Sequence, residues 1–395
     1  MSTRKGVWNL QQVRDKYLQS LWDNSPQLFA WGYNGYGQLG QNDAGPSKYR
    51  SSPTQIPGEW SQFRGTSSTH SGMHGIKSDG TLWGWGRNNE GQLGLNNKTE
   101  YSSPVQIPGT TWAKVCSSKD NAIAVKTDGT LWMWGSNGSG MLGQNQGYSV
   151  QYSSPIQVGG GTDWEIGFGG REFTMAKKTD GTLWAWGSGA YGGLGQNDKT
   201  SRSSPVQLPG TWNSIGIGWF GCTASKTDGT LWSWGYGKHG NLGQGESSYK
   251  CYSSPVQIPG TSWNKATMNF YTSFATRTDG SLWSWGYNSA GSSGLLGQNQ
   301  GQPSVASTSS PKQVGSDTTW DEIEVGASKA IALKTDGTLW TWGRQIYGSL
   351  GLGEENSPSY ISSPTQIGSD STWTSISNSY FGGFGGKSPL TPSQL

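Results

Sequence analysis

The stretch from Ala122 to Gly135, AIAVKTDGTLWMWG, decides how this chain folds. Apolar positions flank Asp128-Gly129 on both sides in a strand-like pattern, and Asp-Gly is a hairpin signal because glycine accepts a positive φ. The stretch is two antiparallel strands and their turn. Downstream, a Gly/Asn-rich loop ends in Met141-Leu142-Gly143. A polar segment then leads to Pro155-Ile156-Gln157-Val158, a short strand whose opening proline suits a sheet edge. Trp164 begins the next strand, so one unit supplies four short strands.

The unit recurs. A Leu-aromatic-x-Trp-Gly pentad ends at Gly32, Gly86, Gly135, Gly187, Gly235, Gly286 and Gly343. Ser-Ser-Pro recurs with its proline at Pro53, Pro104, Pro155, Pro205, Pro255, Pro311 and Pro364. A further tryptophan recurs at Trp60, Trp112, Trp164, Trp212, Trp263, Trp320 and Trp373. These families hold 20 of the 23 Trp, so the aromatic richness is mostly architectural. Units of about 50 residues with four strands read as propeller blades. The chain enters the pattern at Leu28, in the third strand of a blade, and leaves after Trp373 and Lys387, which match the first two. The last blade is therefore completed by the N-terminal strands, two against two, which leaves no open sheet edge. The expected fold is all-β: a seven-bladed β-propeller of four-stranded blades over residues 28–395.

Composition agrees. The 395 residues include 63 Gly and 17 Pro, and only 13% are charged. Low charge with abundant aromatics argues against disorder. No apolar run approaches the ~20 residues of a membrane span, so no membrane insertion is expected. The N-terminus, MSTRKGVWN, is basic without an apolar stretch and does not suit a secretory signal. Cys116, Cys222 and Cys251 make an odd count without CxxC spacing, which suits a reducing compartment and neither a disulfide framework nor a zinc site. A net charge of +3 is too small to imply a polyanionic partner.

The pattern Lys-Thr-Asp-Gly-Thr-Leu-Trp-x-Trp-Gly…Gly-Gln-Leu-Gly resembles the repeats of the regulator of chromosome condensation family. Gly-Gln-Leu-Gly stands intact at Gly37–Gly40 and Gly91–Gly94 and degenerates elsewhere. The resemblance covers all seven repeats and implies a seven-bladed propeller. Members include a nucleotide exchange factor for a small GTPase, a plant UV-B photoreceptor, a bacterial β-lactamase inhibitor and bacterial and phage proteins. The regular blocks look most like the bacterial and phage members. The photoreceptor relatives carry Gly-Trp-Arg-His-Thr, which Gly218-Trp219-Phe220-Gly221 matches only in part.

Catalysis finds little support: no GxSxG, HExxH or DxDxDG motif is present, and no cofactor is expected. His70 and His74 stand four apart without a visible third ligand, so they read as ordinary polar residues and not as a metal site. A recurring cation (Lys77, Lys126, Lys178, Lys226, Arg277, Lys334, Lys387) is followed two residues later by Asp in six of seven units. The charges largely cancel, and nucleic-acid binding is not expected. Surface chemistry remains. The residue before Ser-Ser-Pro is Arg50, Tyr101, Tyr152, Arg202 and Tyr252 in five units, and loops after the Trp-Gly pairs add Tyr36, Tyr191, His239 and Tyr347. Tyr and Arg are enriched in binding hot spots, so these nine are candidate surface-binding residues. Packing of the tyrosines between blades is the competing account.

Residues Gly6 to Trp22 switch to helical periodicity. Val7, Leu10, Val13, Tyr17 and Leu21 form one apolar stripe with Trp8 beside it. So short a helix is marginal alone in water and should dock on something. This segment of some 17 residues resembles short N-terminal tags on structural proteins of marine tailed phages. The leading expectation is a non-enzymatic virion protein of capsid or tail, assembled in the bacterial cytoplasm and present in multiple copies. Residues 1–27 would bind other virion proteins, and the propeller would meet a host-surface protein or glycan. A soluble bacterial binding propeller, an inhibitor or scaffold in the cytoplasm, is the alternative, and a guanine-nucleotide exchange factor stands third.

Overall fold

A computed structural model of the protein describes residues 27–64, 72–146, 150–246, 249–288, 294–299, 307–353, 359–379 and 381–387. These hold 27 strands, β1 to β27 in chain order. Trp60 opens β3 (Trp60–Arg64), which pairs with β4 (Gly72–Lys77); β5 (Leu82–Gly86) follows, and β6 (Tyr101–Ile107) lies outermost. Each pairing is antiparallel. The same order recurs in five four-stranded sheets and one seven-stranded sheet. The larger sheet is two blades joined by β14 (Arg202–Ile217). That strand is the outer strand of one blade, where Leu208 faces Leu183, and the inner strand of the next, where Trp212 faces Lys226. Seven blades result, as the repeat implies.

The composite blade closes the ring as the phase of the repeat predicts. From Gln27 opposite Lys387 to Gly32 opposite Gly382, β1 (Gln27–Gly32) pairs with β27 (Gly382–Lys387). β2 (Arg50–Ile56) and β26 (Trp373–Ser379) flank them. We number this blade 1 and count to blade 7 along the chain. The expected N-terminal helix lies outside the described residues.

The three tryptophans of a unit do three different jobs. The inner-strand Trp is buried, and the recurring cation lies over its ring and over the first aromatic of the pentad. Lys126 Nζ, for example, is 4.9 Å from the Trp112 ring and 4.2 Å from that of Trp132. Such contacts are worth roughly 0.5–2 kcal/mol each. The cationic ring seen in the sequence is thus packed between aromatic rings. The first pentad Trp donates from Nε1 to the turn Thr, as Trp132 does to Thr130 Oγ1 at 2.8 Å, and Asp128 Oδ1 accepts from the same Thr.

The second pentad Trp joins the blades. Its Nε1 donates to the carbonyl before the leucine of the preceding Gly-x-Leu-Gly: Trp85 to Gln38, Trp134 to Gln92, Trp186 to Met141, Trp234 to Gly193, Trp285 to Asn241, Trp342 to Leu295 and Trp31 to Ser349. Only the backbone of the second position is needed for this bond, which explains why its side chain varies. The glycines cannot vary in the same way. Gly94 sits at φ +74°, and a Cβ there would lie 2.8 Å from Trp134 Nε1. Gly91 sits at φ +76°, and its Cβ would lie 2.8 Å from the Ser153 Cα of the next blade.

Strand direction assigns the loops to faces. Strands one and three of a blade run the same way, so the loops after them open on one face. The Asp-Gly turns and the turns after the outer strand open on the other. β1 is a third strand and β27 a second strand, so Gln27 and Lys387 both lie at the turn face.

Candidate functional site

The inner strands surround a central cavity of about 480 Å³. Its wall carries Arg64 from blade 2, Cys116 from blade 3, and Glu322 and Glu324 from blade 7. Arg64 forms an ion pair with Glu324 across 260 positions of sequence, and Glu322 Oε1 lies 4.0 Å from the same guanidinium. The pair spans composite blade 1 and ties together its two neighbours. Burial alone would lower the Arg64 pKa, but the two glutamates more than offset it and raise it. Burial pushes the Glu322 carboxyl and the Cys116 thiol up, with Arg64 opposing both. Behind the wall, the fully buried Lys329 donates to Asn378 Oδ1 and to the Gly382 carbonyl, the latter at 2.8 Å. Burial holds its amine well below the usual lysine range. Among the described residues, no three His, Cys, Asp or Glu side chains converge on a metal-sized site.

The loop face of blades 4 to 6 carries a contiguous aromatic terrace. Tyr191 and Tyr236 meet edge to face with ring centroids 4.9 Å apart, and Phe220 lies 5.1 Å from Tyr191. Tyr236 also meets Tyr249 at 5.1 Å and Tyr271 at 5.9 Å. His239 extends the terrace to Tyr287 at 4.5 Å. Toward the cavity mouth, Trp219 packs at a tilt against Phe270 with ring centroids 3.6 Å apart, and the Arg171 guanidinium lies 4.4 Å from the Trp219 ring. Burial raises the Tyr236 phenol and lowers His239, with Lys238 adding to the latter, so both are neutral at pH 7. The exposed large hydrophobic residues among those described are Val150, Tyr191, Tyr249 and Tyr360. All four belong to the loops, or the strand start, on this face.

The nine residues singled out from the sequence divide. Arg50, Tyr101, Tyr152, Arg202 and Tyr252 share one register position, each opposite the glycine that ends its pentad. All are half-buried, and four bond the loop of their own blade. Arg50 pairs with Asp43 at 2.9 Å and Arg202 with Asp198 at 2.7 Å. Tyr101 accepts from Asn97 Nδ2 at 3.2 Å, and Tyr152 donates to Gln146 at 2.7 Å. Lys250 Nζ lies 5.3 Å from the Tyr252 ring. Tyr191 and His239 enter the terrace. Tyr36 receives Arg87 at 5.5 Å, while Tyr347 joins Tyr33 and Phe381 in a smaller cluster between blades 7 and 1. The docking stripe of Val7, Trp8, Leu10, Val13, Tyr17 and Leu21 lies outside the described residues.

The sequence reading missed Arg171, Trp219, Phe220, Phe270 and Tyr271, which come from loops between strands one and two. The available signal was strand direction, which brings those loops to the same face as the loops after the pentads. His74 also differs from the reading of an ordinary polar residue. It stands three residues before Lys77, where other blades place Ile123 and Ile331, and it is fully buried against blade 3. The Ser117 hydroxyl lies 3.0 Å from the Arg64 carbonyl oxygen and 2.8 Å from His74 Nδ1, so it hydrogen-bonds the buried ring.

The RCC1-like domain matches residues 17–294, and a regulator of chromosome condensation repeat matches residues 336–380. This chain belongs to the RCC1-like family. The ultraviolet-B receptor UVR8 of Arabidopsis thaliana is 27% identical over 337 residues, spanning 82% of this chain and 74% of the receptor. The probable E3 ubiquitin-protein ligase HERC4 of Homo sapiens is 28% identical over 51% of this chain, a match that covers 19% of the ligase. Among solved structures, yeast RCC1 (Prp20) bound to Kap60 superposes with a TM-score of 0.80 at 17% identity, covering 94% of this chain and 90% of that one. Human WBSCR16 gives a TM-score of 0.79 at 18% identity, over 93% of this chain and 100% of that one. These structural matches establish a shared fold.

Proposed function

We propose that this RCC1-like protein is a non-enzymatic binding propeller carried in multiple copies on a phage particle, anchored through residues 1–27 and presenting its aromatic terrace to a partner. The observation that carries this reading is that Gln27, where the propeller begins, lies on the face opposite the terrace. Residues 1–26 are tethered at Gln27 on the turn face, while the terrace lies on the loop face. A propeller anchored by that tether points its aromatic face away from the particle. The exposed large apolar side chains among the described residues all lie on the far face. Binding without catalysis suits a family member whose loops carry aromatic and cationic groups instead of a paired acid and base. Kap60 bound to yeast RCC1 gives a precedent for protein contact by this fold.

The test compares the full chain with a variant lacking residues 1–25, by thermal unfolding and by copurification with particle proteins. Because the ring closes from Gln27 onward, the midpoint should shift by only a few degrees while copurification is lost. A sharp fall in midpoint with copurification retained would overturn the anchoring role. Loss of neither property would favour the soluble bacterial binding propeller.

A further inference from the structure

The terrace carries two cations that differ from others on the same face. Arg50, Arg202 and Lys250 are each paired with a carboxylate of their own loop. Arg171 and Lys238 instead contact aromatic rings, at 4.4 Å from Trp219 and 5.8 Å from Tyr271, and no carboxylate among the described residues lies within ion-pair distance of either. A guanidinium laid on an indole keeps its edge N–H groups in plane and available for a bidentate acceptor. Between the two cations lie Phe220, Tyr236 and Tyr271, with Tyr191 and Tyr249 exposed beside them. The exposed large apolar side chains beside these cations, Tyr191 and Tyr249, are phenolic. Rings of this kind offer flat faces for stacking and hydroxyls for hydrogen bonds at one place.

From this geometry we infer that the terrace binds an acidic glycan, with pyranose rings stacked on the tyrosines and carboxylates held by Arg171 and Lys238. The inference rests on the proposed binding face and names its ligand class. A sugar ring presents an apolar C–H face to an aromatic ring and hydroxyls around its rim, which matches a phenolic surface better than an aliphatic peptide anchor would. These two cations, without a carboxylate partner among the described residues, supply the charge complementarity that selects a uronate over a neutral sugar.

The probe is an oligogalacturonate of defined length, with the matching neutral galactan oligomer as control, titrated calorimetrically against the full-length chain. The acidic oligomer should bind and weaken as salt rises, while the neutral one should bind at least tenfold more weakly. Arg171→Gln and Lys238→Gln together should reduce acidic binding at least tenfold and abolish the preference. Tyr191→Ala with Tyr236→Ala should abolish binding, and Tyr191→Phe should retain it, with thermal melts confirming that each variant is folded. Equal affinity for both oligomers overturns the role of the cations. Binding of neither overturns the glycan inference; a protein partner captured through the same tyrosines would then leave the terrace as a contact face. Lost particle copurification on removing residues 1–25 concerns only the anchor.

Discussion

His74 makes acid sensitivity of this fold calculable. Its imidazole is fully buried, bonded to Ser117 and set edge-on to Trp134 at 5.5 Å. Burial pushes its pKa down to about 3 from 6.5, against a smaller opposing effect of nearby backbone carbonyls. The unfolded chain therefore takes up a proton near pH 6.5 that the folded chain refuses until about pH 3. Stability from this group is full above pH 6.5 and is lost as pH falls toward 3. At about 1.36 kcal/mol per pKa unit, the loss between pH 7 and pH 5 is about 2 kcal/mol. Glu322 acts in the opposite direction, because burial raises its pKa and the folded state then gains stability as pH falls. The assay is urea unfolding at pH 7 and pH 5 for the wild type and for His74→Asn, which retains a polar group for Ser117 and lacks the titration. The difference between the two proteins cancels Glu322 and the shallower His239. The variant should be weaker at pH 7, by about 1–3 kcal/mol for a disturbed core contact. Its stability should fall by about 2 kcal/mol less between the two pH values. Identical pH dependence in both proteins, or an NMR titration placing His74 above pH 5.5, would refute the reasoning.

Three further outcomes are expected. Gly94→Ala should cost about 2 kcal/mol or more in chemical denaturation, because it combines a positive φ with a clash against the Trp134 indole; a change below about 0.5 kcal/mol would contradict that packing. Arg64→Met and Glu324→Gln, measured singly and together, should show a coupling of about 1–3 kcal/mol, between the values typical of exposed and buried pairs. The intermediate value is expected because 31% and 22% of the two side chains remain accessible from the cavity. Removing residues 373–395 should give an aggregating product without a cooperative melt, since β26 and β27 vanish and the edge of β1 opens; a sharp transition near the full-length midpoint would count against two-plus-two closure.

The repeat was legible because its signals are local. Asp128-Gly129 specifies a turn and the pentads specify strands, each within the reach of adjacent residues, and the phase of the repeat at Leu28 and Lys387 specifies closure. The cation's place was half legible: its spacing from Asp showed charge cancellation, while its two ring contacts join three strands of one blade. Register also held a readable signal for His74, three residues before Lys77. The helical stripe of residues 6–22 remains a reading of the sequence.

Other features exist only in the closed ring. Arg64 meets Glu324 across the composite blade because the two ends of the propeller share one sheet. Arg171, Tyr191, Trp219, Tyr236 and Tyr271 become neighbours because parallel first and third strands deliver loops from three blades to one face. The sequence by itself determined the number of blades, the strand order and the mode of closure, since each follows from a period repeated seven times. Which departures from that period would meet, and which side chains would lose their water, was decided by tertiary structure, because burial and long-range charge pairing depend on distances that exist only once the blades are packed.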